Sequence, residues 1–150
     1  MTLNELQTYF NSLATSHVDI NDFVWGDAFE QLQDLINDTS DILLMVESPD
    51  YQMDNLGYTG RMISYESELV ILKLTQKDNK TQKKNDLIST MSIMNEVIRK
   101  VEEDFQENDH AMFSIRSAFT QAYLDARIGW RVSYSISFDT DVYPNSAKWQ

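Results

Sequence analysis

Cysteine is absent from these 150 residues, and glycine, at 4, and proline, at 2, are scarce. Without thiols, disulfides, thiolate catalysis and cysteine-ligated metals are excluded by inventory. A phosphate loop of the usual kind needs clustered glycines, because only glycine lets backbone amides close around phosphate. Gly57-x-x-Gly60 lacks the Lys and Ser/Thr that should follow. Bases are few as well: 12 Lys and Arg against 24 Asp and Glu leave a net charge of −12. Affinity for nucleic acid depends on bases displacing counterions from phosphate, so no specific nucleic-acid binding is expected. No apolar run approaches the roughly 20 residues that cross a bilayer, and Met1-Thr2-Leu3-Asn4-Glu5 does not open a secretory signal. The expectation is no membrane association, and a cytoplasmic chain unless it leaves inside a larger particle.

What is present is a hydrophobic fraction of 42% over a length that supports one core. A single domain over 1–139 is expected, followed by an extended polar tail over 140–150. Residues 82–106 organise the rest. Leu87, Met91, Met94, Ile98, Val101 and Phe105 recur there at spacings of three and four, on one stripe of a long helix. Asn85, Ser89, Asn95, Arg99 and Glu103 fall away from it. Such a stripe needs a surface to cover. The charges oppose the helix dipole: Lys77, Lys80, Lys83 and Lys84 gather at the start, and Glu102, Glu103, Asp104, Glu107 and Asp109 at the end. Each misplacement costs roughly a few tenths of a kcal/mol at an exposed site. The pattern reads either as solvated helix ends or as complementary patches at opposite ends of the subunit.

Upstream, Leu3, Leu6, Phe10 and Leu13 predict a short helix over 2–14, with Thr2 as N-cap and Glu5 closing a capping box. A polar connection leads to a second short helix over about 27–36. Ile42 to Val46 is apolar on both parities, which predicts a strand buried on both faces. Residues 49–60 read as a long loop, and 61–75 as the next strand. A strand near 112–119 follows the long helix. The last strand puts Ile128, Trp130, Val132, Tyr134, Ile136 and Phe138 on one parity, with serines on the other. The expected fold is α+β: a four-stranded, mostly antiparallel sheet with the N-terminal helices and one long central helix packed on one face. The serine-rich face is expected to stay wet or meet another subunit.

Residues with chemistry to offer are sparse. His17, Asp19 and Asp22 come nearest to a metal set. Counted from Asp19, however, the glycine position of a calcium loop falls on Val24, and only Glu30 fits. Carboxylates capping the next turn are the simpler account. Glu66 and Glu68 would project from one strand face roughly 7 Å apart, a spacing that suits acid and base work on a glycoside, yet such pairs are common at strand ends. No Gly-x-Ser-x-Gly elbow accompanies the serines. No catalytic residue, cofactor or metal is expected, and the chain reads as a non-enzyme. Tyr51, Met53, Leu56 and Tyr58 in the loop, with Tyr143 and Trp149 in the tail, are large groups in segments expected to be exposed. They either fold back over their own sheet or form an interface. Together with Lys83, Lys84, Glu102 and Glu103, they are the interface candidates.

This order of elements, in a small cysteine-free chain ending in the apolar parity of Gly129-Trp130-Arg131-Val132-Ser133-Tyr134, resembles a known group. It is similar to the tail terminator and related neck or tail-completion proteins of tailed bacteriophages and phage-like injection systems. The resemblance lies in topology and size and carries over no functional residue. It implies a structural virion subunit that closes with copies of itself into a ring, a hexamer, on tail-tube or neck proteins. An acidic lumen would suit such a ring by repelling the phosphates of passing DNA. The residues alone also fit a small cytoplasmic adaptor that binds one protein through the loop and tail.

Overall fold

Thr2 sets the start of the first helix. Its N–H donates to the Glu5 carboxylate (2.6 Å), and its hydroxyl accepts the Glu5 N–H (3.3 Å), the reciprocal box legible in the sequence. In the computed structural model, which describes residues 1–26, 41–55, 61–76, 78–106, 111–123 and 127–140, helix α1 spans Leu3–Ser16. Strands β1 (Asp22–Trp25), β2 (Ile42–Val46), β3 (Asp50–Asn55) and β4 (Arg61–Leu74) follow. Helix α2 (Lys80–Gln106) and strands β5 (Ala111–Tyr123) and β6 (Arg127–Thr140) complete the order. The expected helix at 27–36 lies outside the described residues.

The fold is α+β, with a six-stranded mixed sheet in place of the expected four strands. Its order is β1-β2-β4-β6-β5, and β3 also pairs with β4. β1 runs parallel to β2, and the other pairs are antiparallel. The two additional strands are short. Gly26 follows β1; its φ of 132° suits glycine, and its N–H donates to the Val46 carbonyl (3.0 Å). β3 lies inside the segment expected to be loop. Its Asp, Gln and Asn have poor strand propensity, and unbroken pairing with β4 overrides it.

One face of the sheet meets both helices. Leu44, Val46, Leu69, Ile71, Val132 and Ile136 are buried there with Leu6, Phe10, Val97 and Val101. α1 lies antiparallel to α2: the Tyr9 hydroxyl donates to Asp104 (2.9 Å), and His17 Nε2 meets Glu96 at 3.2 Å, eight residues further along each helix in opposite directions. Edge-on ring contacts join Tyr9 to Phe105 (5.3 Å) and Phe105 to Phe138 (5.7 Å). On the other face, Leu43, Met45, Val70 and Leu72 form a second buried cluster with Val24 against it, which explains why β2 is apolar on both parities. The serine face of β6 is not wet: Ser135 and Ser137 are buried, and Ser137 shares a 2.9 Å hydrogen bond with Ser64. Serines are short, and on a strand flanked by β4 and β5 the neighbouring rows shade them. Gly129 permits the close pairing with β4, since a Cβ there would stand 1.7 Å from the Ile71 carbonyl oxygen.

The stripe of α2 is turned from the expected one. Asp86, Thr90, Ile93, Met94, Val97, Val101 and Phe105 are buried, whereas Met91 is 42% and Ile88 61% exposed, and Leu87 and Ile98 are half-buried. The cause is polar. Lys73, on the helix face of β4, meets the Asp86 carboxylate at 3.4 Å. The Gln82 amide donates to the same oxygen (2.9 Å), and the Thr90 hydroxyl to the Asp86 carbonyl (2.7 Å). The Trp130 indole N–H adds a bond to the Leu87 carbonyl (2.8 Å). An apolar-moment reading ranks Leu and Met above Asp and Thr, so it misses a face chosen by an ion pair.

Asp86 is 1% exposed and Lys73 23%, so the two single substitutions are unequal. Lys73→Met strands a buried carboxylate and should cost about 3 kcal/mol. Asp86→Leu leaves a lysine that still reaches water and should cost about 1–2 kcal/mol. The double variant should recover part of the loss, as read from urea midpoints. A second expectation concerns alkali. Burial first, then the hydrogen bond and charge of Asp104, hold the Tyr9 pKa well above its ordinary 10.0. Burial likewise raises Tyr65 and Tyr134. A raised folded-state pKa gives stability that is whole below pH 10 and is lost as the pH climbs towards the folded values. Stability should therefore fall progressively as the pH rises above about 10, and Tyr9→Phe should flatten that fall.

Candidate functional site

β4 serves two partners along one edge, and the site follows from that. Residues 69–73 pair with β2 and 61–66 with β3, so the chain detours between them through Glu47, Ser48 and Pro49. Two bonds pin the detour: the Glu47 N–H donates to the Glu68 carbonyl (3.1 Å), and the Ser67 hydroxyl donates to the Glu47 carbonyl (2.5 Å). Beside it opens a cavity of about 410 Å³. Glu47, Asp50, Glu66 and Glu68 line it with Ser48, Ser67, Ser133 and Tyr134, and none of the described residues that line it is basic.

Glu66 and Glu68, the pair read as acid and base, are thus neighbours at one cavity, but Glu68 is engaged. Arg131 pairs with it at 3.0 Å, and the Ser133 hydroxyl donates to it at 3.3 Å. The Tyr134 hydroxyl is buried, with Ser67 as its neighbour. Burial keeps it protonated well beyond ordinary tyrosine.

The residues first read as metal-like separate. His17 turns Nε2 to Glu96, while its Nδ1 accepts the Asp19 N–H (3.2 Å). The Asp22 carboxylate accepts the Phe23 N–H (2.8 Å) and lines a different cavity of about 230 Å³ with Ile20, Asn21 and Phe23. No group of three acids or histidines among the described residues could hold a metal ion.

The interface candidates divide into two places. Tyr51 and Met53 lie on β3, 52% and 44% exposed, with the Tyr51 ring 5.7 Å from that of Tyr65. Lys83 and Lys84 sit near the start of α2, half-buried and exposed respectively, and Glu102 and Glu103 are exposed near its end. At 1.5 Å per residue those ends stand about 30 Å apart. Leu56, Tyr58, Tyr143 and Trp149 lie outside the described residues. Two residues were missed by sequence reasoning. Ile88 and Met91 follow Lys84 at spacings of four and three, so an apolar and basic strip runs along the outer face of α2. The signal was present, because Ile88 fitted no inward stripe.

Glu68→Gln should leave the fold standing and cost about 1 kcal/mol, since the pair with Arg131 is only partly buried; chemical denaturation with and without added salt checks it. Among the described residues no helix is long and apolar enough to cross a membrane. No protein-family model matches the chain, and comparison with curated proteins finds no match.

Proposed function

We propose that this chain is a structural, non-enzymatic subunit that assembles with copies of itself into a ring at a phage-type tail or neck, as a tail terminator or tail-completion protein does. One observation carries the reading: α2 presents Lys84, Ile88 and Met91 outward near its start, and Glu102 and Glu103 outward near its end. Bases at a helix start and acids at its end work against the dipole, so helix stability does not account for them. Two complementary patches at separate places on one subunit are what a head-to-tail ring requires. Exposed apolar groups beside a base give the first patch the composition of an interface core and rim. The net charge of −12 is compatible with a lumen that does not grip DNA. Tail-tube or neck proteins are the further partners of this reading, and the virion its place.

The exposure of Tyr51 and Met53 favours a second reading, a small adaptor that binds one protein through β3. The two readings separate by stoichiometry. Under the first, light scattering at rising concentration, alone or with tail-tube subunits, should show a closed oligomer, and negative-stain images should show rings. Lys83→Glu/Lys84→Glu should dissolve the oligomer and leave stability within about 0.5 kcal/mol, as expected of surface positions. A chain that stays monomeric at high concentration and binds no tail-tube subunit contradicts the ring.

A further inference from the structure

β3 is an exposed strand: residues 50–54 all face solvent among the described residues. One of its edges pairs with β4, and along the other no strand runs among the described residues. Residues 50–54 are exposed on both parities, so the edge is reachable from either face. An open strand edge offers a row of N–H and C=O groups to any extended chain laid beside it. Proteins commonly blunt such edges with Lys, Pro or a bulge. β3 contains no Lys or Pro, and its register with β4 is continuous from Asp50↔Glu66 to Asn55↔Arg61.

The two faces of β3 differ in chemistry. Tyr51 and Met53 alternate with Asp50, Gln52 and Asp54, so one face is apolar and the other acidic. The acidic face continues through Glu66, the register partner of Asp50, into the carboxylate-lined cavity, of which Asp50 is itself a wall.

We propose that β3 is a strand-addition site for an extended segment of a partner protein in which Lys or Arg alternates with apolar residues. Main-chain bonds to the β3 edge hold the segment. Its apolar side chains lie over Tyr51 and Met53, its basic ones over Asp50 and Asp54, and one cation reaches the cavity at the head of β3. Charge selects this partner over a second copy of the chain, which brings a further −12 and like charges that repel across a ladder. The inference rests on the assembly reading only in taking protein contact as the chain's work.

The test titrates the 15N-labelled full chain with acetyl-Lys-Val-Arg-Val-Lys-Val-Arg-amide and with its all-Glu counterpart, and follows amide hydrogen exchange. The basic peptide should shift the amides of 50–55 and slow their exchange about tenfold, and the acidic peptide should do neither. Asp50→Lys/Asp54→Lys changes exposed positions, so folding should persist. It should weaken the basic peptide about tenfold and admit the acidic one. Equal affinity for the two peptides, binding without protection of 50–55, or no binding at millimolar peptide overturns the site. A chain that binds the basic peptide but forms no ring keeps the strand-addition site and removes the ring. The opposite pair of results does the reverse.

Discussion

The contact on which the arrangement turns is the ion pair of Lys73 and Asp86. Lys73 stands on the helix face of β4, where the core is otherwise apolar, and Asp86 is almost fully buried against it. A carboxylate in such a place is tolerable only with a charged partner and hydrogen bonds, which Lys73 and Gln82 supply. Meeting that condition fixes the rotation of the first half of α2. Asp86 and Thr90 go in, and Ile88 and Met91 go out beside Lys84. Three turns later the helix returns to an ordinary apolar contact at Val97, Val101 and Phe105. A core requirement thus creates the exposed strip to which we assign assembly.

The sheet makes the second surface by a comparable economy. β4 is long enough to pair with two strands in succession, and the chain between them has to leave the ladder. The detour places Glu47 and Asp50 beside Glu66 and Glu68 and opens an acidic cavity at the head of β3. Arg131 and Ser133 hold Glu68 in place. Both surfaces are therefore carried on regular elements, which suits contacts that must keep a fixed geometry.

Much of this was legible in the residues. Thr2 and Glu5 announced the first helix because capping is local chemistry. The double apolar parity of β2 and the single parity of β6 announced their burial because strand period is local too. The failures share one cause, dependence on a partner distant in sequence. β3 is a strand because β4 pairs with it, despite its Asp and Asn. Asp86 is buried because Lys73, thirteen positions earlier, needs it. Ser137 of β6 is dry because it shares a hydrogen bond with Ser64, distant in sequence. The interface candidates were half legible: Tyr51 and Met53 were recognised as large groups in a polar setting, whereas Met91 was assigned to the core.

The claim that the two ends of α2 meet across copies is tested most directly by zero-length carbodiimide coupling of an equal mixture of 14N and 15N chains, followed by mass spectrometry. Lys84 and Glu102 lie about 27 Å apart along one rigid helix, too far for an amide bond within a chain. Head-to-tail assembly predicts coupling of Lys83 or Lys84 to Glu102 or Glu103 in peptides of mixed isotope. Coupling confined to pairs within one chain, with no mixed-isotope product, would contradict it.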